Sequence, residues 1–393
     1  MIRVAHHRWS KDLNTGVKQV IVLLFVVACV LVDAGCYRSH TPNQDGRQQA
    51  ANQPAASSTV SPATTHDSYD FTNLDDLLAR IARKHGGCAL VVVKNEKVIY
   101  RKGFGSHGPD DVIPVASASK WLAGAVIMSL IDEGKLSLDD PVSKYLPEFT
   151  EAKAGITIRQ LFAHTSGLPA EARCRNDKRT TLERCVSEIA RMKLRAAPGQ
   201  EFFYGGVSMH AGGRIAEIVS GKSWNELFVE RVAAPLGMSR TDFLAYGPTR
   251  NPRPAGDAKS SPDDYARFLQ MILGRGSFDG KRILSEASVL EMHKDQTGGA
   301  RIVYTIYEKH AALEQSLLVA RYGVGMWREK TDAAGQVVEA SSQGALGFSP
   351  WIDFERNLGG ALSVRSSFSE ALPEYLAVKD EIRRTVSSVL RFE

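Results

Sequence analysis

An apolar segment over residues 114–134 constrains the fold of this chain more than any other stretch. Its apolar residues recur at helical spacing, and Gly134 ends the pattern. The members are Trp121, Leu122, Ala125, Val126, Ile127, Leu130 and Ile131. The segment therefore predicts a helix buried inside the protein, around which the other elements have to pack.

Ser117, near the start of this segment, is the one serine of the chain with a lysine three positions later, Lys120. Residues three apart share a helix face, so the Lys120 amine can reach the Ser117 hydroxyl. A helix start also offers unpaired N–H groups and a partial positive charge, which stabilise an oxyanion. These are the parts of an activated nucleophile. One such S-x-x-K pair is expected by chance in a chain of 393 residues, so the interpretation depends on downstream partners.

Composition limits the function classes. A chain with 43% hydrophobic and 24% charged residues is typical of a soluble globular protein. The net charge of +5 comes without a basic run or a basic stripe interleaved with aromatic residues, so no nucleic-acid partner is expected. No pair of histidines has metal-ligand spacing, and we predict no metal and no cofactor. The absence of a G-x-S-x-G sequence argues against an α/β-hydrolase.

Residues 1–36 predict export. Basic residues precede an apolar run over 20–32, which is short for a bilayer span but suits the core of a signal peptide. Cys29 and Cys36 follow small residues near its end, and the pattern resembles a bacterial lipoprotein signal with either cysteine as the lipidation site. A plain cleaved signal and an uncleaved anchor remain alternatives. Residues 37–70 are rich in Ser, Thr, Pro, Gln and Asn and predict a disordered tether between a membrane anchor and the folded part.

Residues 71–393 predict one folded domain of the α+β class. A helix opened by Thr72 and Asp75 and closed at Gly86 precedes two strands, 88–93 and 98–101, that form a hairpin. Further helices are predicted at 182–192, opened by Thr180 and Glu183, at 262–273 and at 372–390. The early hairpin and the late strands are expected to form one antiparallel sheet, from about 71–113 and 300–393. The helical region lies at about 117–295, and the site falls between the two.

Three stretches carry a family resemblance: ASASK at 116–120, EGKLSLDDPVSKYLPEF at 133–149 and TIRQLFAHTSGLP at 157–169. Together they resemble the serine β-lactamase and penicillin-binding-protein superfamily, in the class C β-lactamase-related branch that also contains esterases and D-amino-acid peptidases. The resemblance implies the β-lactamase/transpeptidase-like fold, an antiparallel sheet flanked by helices with a mostly helical half inserted.

The same resemblance assigns further site residues. Tyr204, in the stretch PGQEFFYGG, matches the tyrosine that shares proton transfer with the lysine, and Gly206 stands where the family often has asparagine. Ser342, in SQGALG, replaces the cationic residue of the third family motif. Gly344 is retained, and the N–H groups of Ala345 and Ser117 would form the oxyanion hole.

We therefore expect a serine hydrolase that cleaves an ester or amide through an acyl-enzyme on Ser117. The choice of general base between Lys120 and Tyr204 stays open. A β-lactamase or D,D-peptidase is one alternative, although losing a cation at Ser342 disfavours carboxylate-bearing β-lactams and peptides. A catalytically silent binding protein with the same fold is another.

The remaining cysteines and His164 are assigned structural roles. Cys174 and Cys185 flank a polar loop and, in an oxidising compartment, predict a disulfide. Cys88 is expected to be a buried apolar residue. His164 belongs to a His-Thr-Ser-Gly turn.

Overall fold

The computed structural model describes residues 69–307 and 321–389. The predicted export segment with Cys29 and Cys36, and the predicted tether up to residue 68, lie outside the described residues. Within the described ranges, every helix is too short or too polar to cross a bilayer.

A six-stranded antiparallel sheet, in the order β2-β1-β12-β11-β10-β9, forms the centre of the fold. Its strands are β1 (Gly87–Lys94), β2 (Lys97–Gly105), β9 (Trp327–Thr331), β10 (Val337–Ser341), β11 (Phe348–Asp353) and β12 (Leu358–Val364). The early hairpin therefore pairs with the late strands, with Cys88 opposite Val364 and Lys94 opposite Leu358. This confirms the predicted α+β class with an antiparallel sheet.

Three short strand pairs lie apart from this sheet. They are β3 (Ile113–Pro114) with β5 (Lys259–Ser260), β4 (Glu201–Phe203) with β8 (Arg301–Tyr304), and β6 (Ser277–Phe278) with β7 (Lys281–Arg282). β8 falls within the predicted sheet region but runs parallel to β4 instead of joining the large sheet. β4 leads directly to Tyr204, so this pairing bears on the site.

Helices cover both faces of the sheet. In chain order they are α1 (Thr72–His85), α2 (Ser119–Asp132), α3 (Ile158–Phe162), α4 (Leu182–Arg191), α5 (Val207–Ser220), α6 (Trp224–Phe228), α7 (Pro262–Leu273), α8 (Glu286–His293) and α9 (Phe368–Val389). β1 explains the layering, because its side chains alternate between the faces. Leu90 and Val92 pack with α1 and α9, whereas Val91 and Val93 join the core of the helical half.

Helix α2 is the buried helix that the sequence predicts. Every residue from Ser119 to Leu130 is buried, because the helix carries apolar or small side chains on all sides. Gly124 allows a close backbone contact, since a Cβ there would lie 2.3 Å from the Val324 carbonyl oxygen. A loop over 322–326 thus packs directly on the backbone of α2.

Three helix termini differ from the predictions. The α4 cap is Thr181, whose hydroxyl accepts from the Arg184 N–H at 3.1 Å, so Thr180 was the wrong residue. Thr72 does not cap α1; the Asp70 carboxylate accepts from the Thr72 N–H at 2.9 Å instead. α9 begins at Phe368, four residues earlier than predicted, because Phe368 and Ala371 also pack into the core beneath this helix.

Substitution of Gly325 tests how much the close packing of the 322–326 loop on α2 contributes to stability. Gly325 has a left-handed φ of +85°, and a Cβ would lie 2.1 Å from the Lys120 carbonyl oxygen. Gly325→Ala should therefore lower the free energy of unfolding by about 2–5 kcal/mol, combining left-handed strain with overpacking. Gly335→Ala is the matched control, because Gly335 has φ +76° but open space around its Cβ position. It should lose only about 1–2 kcal/mol. Equal losses in urea unfolding would contradict the packing argument.

Candidate active site

Ser117 lies in a turn of 3₁₀ helix, Ala116–Ala118, that leads directly into α2. Its side chain is partly exposed, while Ala118 and Ser119 are buried. Ala116, directly before it, has a positive φ of 47°, which is strained for a residue with a Cβ. The strained turn places the Ser117 hydroxyl at the surface end of an otherwise buried helix.

Hydrogen bonds from the 258–265 region fix this turn. The Tyr265 hydroxyl donates to the Ala118 carbonyl at 2.7 Å. The Ala258 N–H donates to the Ser119 hydroxyl at 3.0 Å, and the Val115 N–H donates to the Ala258 carbonyl at 2.9 Å. These bonds join β3 and α2 to the segment around β5, so the position of the hydroxyl depends on residues about 140 positions away.

Lys120 meets Ser117 as its spacing predicts. Its Nζ donates to Ser117 Oγ at 2.9 Å and to the Ala255 carbonyl at 3.0 Å, and its side chain is buried. Burial, with a smaller contribution from the nearby Arg175 guanidinium and against a smaller opposing effect of Glu171, lowers the pKa of Lys120 to about 7. An amine with this pKa is partly neutral near neutral pH and can then accept a proton.

Tyr204 arrives on the same site from the end of β4. Its ring lies over the Lys120 ammonium, with Nζ 4.7 Å from the ring centroid. Burial raises the pKa of Tyr204, and hydrogen bonding with the Ser117 side chain partly offsets that rise. The phenol therefore keeps its proton at neutral pH and faces the same hydroxyl as Lys120.

An aromatic cluster holds the Tyr204 ring. Trp327 stacks on it with centroids 5.0 Å apart, and His164 packs against it at 4.6 Å. The His164 carbonyl also accepts from the Phe203 N–H at 3.0 Å, which ties β4 to the His-Thr-Ser-Gly turn. The turn that the sequence identifies as structural thus positions Tyr204. In the sequence, this turn was marked only by its His-Thr-Ser-Gly motif.

The predicted oxyanion donors lie beside this group. Among the described residues, neither the Ser117 N–H nor the Ala345 N–H donates a hydrogen bond to another backbone or side-chain group. Gly344 permits the arrangement, because a Cβ there would lie 2.3 Å from the Val115 carbonyl oxygen. Close backbone approach, with no side chain between, brings the 344–345 segment against the nucleophile turn.

Ser342 contacts the nucleophile turn directly, although it brings no charge. Its hydroxyl donates to the Ser117 carbonyl at 3.1 Å, and the residue is buried. The strand before it is anchored by the buried Lys379 ammonium, which donates to Glu329 at 2.6 Å and to Glu339 at 2.9 Å. Ser342 therefore braces the Ser117 turn from the sheet side.

Gly206 is the N-terminal cap of α5, and its N–H donates to the Ala170 carbonyl at 3.2 Å. The space that a side chain here would enter is occupied, because a Cβ would lie 2.1 Å from Arg175 Nη2. Sequence reasoning missed Arg175, which no motif marks. Its neighbour Cys174 forms a disulfide with Cys185, so the two predicted partners are joined in the structure.

Comparisons with known proteins find similar sequences and a similar fold. The Beta-lactamase family model matches residues 71–380. The solved structure of a beta-lactamase homologue from Bacteroides dorei DSM 17855 is 34% identical, with a TM-score of 0.72, and the alignment covers 81% of this chain and all of that one.

Two curated relatives match over shorter lengths. Protein flp of Staphylococcus aureus (strain MW2) is 32% identical over 172 residues, 40% of this chain and 34% of that protein. The D-alanyl-D-alanine-carboxypeptidase/endopeptidase AmpH of Escherichia coli (strain K12) is 28% identical over 221 residues, 48% of this chain and 57% of that protein. The matches thus span about a third to somewhat over half of these relatives. The family match and the shared fold show that this chain belongs to the Beta-lactamase family.

Proposed function

We propose that this protein is a serine hydrolase that cleaves an ester or amide by acyl transfer to Ser117. The observation that carries the proposal is the buried Lys120 amine, 2.9 Å from Ser117 Oγ and with a pKa lowered to about 7. A neutral amine at this distance can take the hydroxyl proton as the oxygen attacks a carbonyl carbon.

The two candidate bases then have different roles. Lys120 is the better base, because burial lowers the pKa of its ammonium but raises the pKa of the Tyr204 phenol. Tyr204 remains protonated and donates toward the Ser117 oxygen or the leaving group. The carbonyl oxygen gains negative charge in the tetrahedral intermediate and binds the two free N–H groups of Ser117 and Ala345. One such donor is typically worth about 3 kcal/mol in the transition state.

The reaction then completes in two halves. Collapse of the intermediate breaks the bond to the leaving group, which departs with the proton that Ser117 lost. Water attacks the acyl-enzyme in the second half, and its proton passes to Lys120 before returning to Ser117. Each half starts and ends with the same protonation state, so no cofactor is needed.

The residue at position 342 favours an ester over a β-lactam. Ser342 contributes a hydroxyl that is already bonded to the Ser117 carbonyl, and it supplies no cation to bind a β-lactam or peptide carboxylate. The names of the relatives favour a second candidate, a D,D-peptidase or β-lactamase. A silent binding protein is a weaker candidate, because it would not require Lys120 to be buried against Ser117.

We also propose that the enzyme acts after export, as a membrane-anchored protein of the bacterial cell envelope. The sequence of residues 1–36, with either Cys29 or Cys36 as the candidate lipidation site, supports this location. The disulfide between Cys174 and Cys185 supports it as well, because structural disulfides persist in oxidising compartments.

Replacing the nucleophile tests the reaction. Ser117→Ala should reduce turnover of p-nitrophenyl butyrate by at least about 10³-fold, because no acyl-enzyme can form. A fluorophosphonate probe should modify the peptide containing Ser117, as read by mass. Ser129→Ala is the matched control, because Ser129 lies on the same helix and its hydroxyl donates to the Val126 carbonyl, away from Ser117. Retained turnover in Ser117→Ala would refute the mechanism, and labelling by a fluorescent penicillin would favour the second candidate.

Removing one phenol oxygen tests the role of Tyr204. Tyr204→Phe keeps the ring against Trp327 and should lower kcat by about 10²–10⁴-fold, the usual contribution of a positioned proton donor. Tyr322→Phe is the control, because this buried neighbour has a hydroxyl without a hydrogen-bond partner among the described residues. It should leave kcat nearly unchanged. Equal effects of the two substitutions would assign Tyr204 a packing role only.

The pH profile tests Lys120 as the base. Lys120 is active only when neutral, so kcat/KM should fall about tenfold per pH unit below its pKa of about 7 and level off above it. The sign follows from protonation: acid converts the amine to an ammonium that cannot accept the Ser117 proton. A profile that stays flat from pH 5 to pH 9 would exclude this assignment.

A further inference from the structure

Arg175 is a buried guanidinium beside the proposed catalytic group that the reaction does not use. It lies in the 3₁₀ helix Arg173–Asn176, next to the disulfide cysteine Cys174. Its side chain is only 10% exposed. Arginine is rarely buried to this degree unless its donors are paired, so the hydrogen bonds of this group are informative.

Only one of its three nitrogens is satisfied. Nη1 donates to Glu171 Oε2 at 2.6 Å and, weakly, to the Ala170 carbonyl at 3.4 Å. Nε is buried without a partner, and Nη2 donates no hydrogen bond to any of the described residues. The Glu171 carboxylate is 74% exposed, so the ion pair with it is largely screened by solvent. This cation therefore has two nitrogens, Nε and Nη2, without a partner among the described residues.

The free nitrogen lies at a defined position in the site. Nη2 fills the space beyond the Gly206 Cα, two residues after Tyr204, where any side chain would collide with it. Its charge also reaches Lys120, whose pKa it helps to lower. Gly206 and Arg175 are thus linked: the absence of a side chain at Gly206 leaves the space in which the guanidinium lies, two residues from Tyr204.

A cavity of about 220 Å³ opens beside Arg175. Its other polar walls include Lys178, Asn251 and Arg253, and the last of these is already paired with Asp257. The Lys178 ammonium donates to the Tyr246 carbonyl at 2.6 Å. Arg175 thus lines this cavity, and its Nη2, which donates to none of the described residues, lies against Gly206.

We propose that Arg175 binds a carboxylate of the substrate, so that the enzyme prefers esters or amides that carry a carboxylate near the scissile carbonyl. This rests on the proposed function. A guanidinium with free N–H groups matches a carboxylate in charge and geometry, and such charge-assisted bonds are about twice as strong as neutral ones. The cation that determines substrate specificity is then Arg175, next to the Cys174–Cys185 disulfide, and not a residue at position 342.

Matched esters test this preference. The substrates are p-nitrophenyl butyrate, which is neutral, mono-p-nitrophenyl glutarate, with a carboxylate in the acyl part, and m-carboxyphenyl butyrate, with one in the leaving group. Arg175→Gln should lower kcat/KM for at least one carboxylated ester by about tenfold or more, the loss of one charge-assisted contact, while the neutral ester changes little. The ester that is affected shows whether Arg175 contacts a carboxylate in the acyl part or in the leaving group. Rates are compared on the pH plateau, because removing Arg175 also raises the pKa of Lys120.

Two further variants separate binding from folding effects. Arg175→Lys keeps the positive charge but not the planar set of N–H donors. It should therefore recover part of the kcat/KM that Arg175→Gln loses on the carboxylated ester. Arg173→Gln removes an exposed arginine from the same turn and should leave the ratio between the esters unchanged. Equal losses on the neutral and carboxylated esters, or no loss on either carboxylated ester, would overturn the proposal.

A binding measurement keeps this proposal separate from the proposed function. Calorimetry on Ser117→Ala, with and without Arg175→Gln, measures affinity for the two carboxylated esters without turnover. At least about tenfold weaker binding of one ester in the double variant supports the carboxylate site, even for a protein that hydrolyses neither ester. Unchanged affinity for both esters overturns it, whatever the hydrolysis of p-nitrophenyl butyrate shows.

Discussion

The burial of one lysine amine is the constraint on which the site depends. Lys120 Nζ is held between Ser117 Oγ and the Ala255 carbonyl, away from solvent. An isolated ammonium in such a position is unfavourable, so the group loses its proton more easily and can act as a base. The same burial requires close packing on every side of α2. Gly124 and Gly325 make this packing possible. At each of them the backbones of α2 and of the 322–326 loop come so close that a Cβ would collide with a carbonyl oxygen.

Two parts of the fold supply the remaining groups. The sheet side contributes Ala345 and Ser342, on a segment that follows β10, and β10 is anchored through Glu339 to Lys379 of α9. The helical half contributes Tyr204, held by the His164 turn and by Trp327. The nucleophile turn lies between them and is bonded to both. The groups with chemical roles are therefore fixed by packed elements, which favours a preorganised site.

The departures from the family pattern are linked by geometry. Ser342 replaces a cation by a hydroxyl that braces the Ser117 turn, so that position becomes structural. Gly206 removes a side chain, and Arg175 fills the space from a loop closed by the Cys174–Cys185 disulfide. Among the described residues, a cation therefore lies beside position 206 and not at position 342. A cation beside Gly206 would contact a different part of a substrate from a cation at position 342.

The sequence by itself predicted the main elements and the contact between Ser117 and Lys120. Helical periodicity identified α2, alternating and continuous apolar runs identified the hairpin, and the three-residue spacing placed Lys120 beside Ser117, because these depend on neighbours along the chain. The resemblance supplied Tyr204, which no local pattern would have joined to Ser117. Only the tertiary structure decided that His164 supports Tyr204, that β8 pairs with β4, and that Arg175 occupies the space at Gly206. Such contacts join residues far apart in sequence. They depend on how the folded elements pack together, which the local periodicity of the sequence does not indicate.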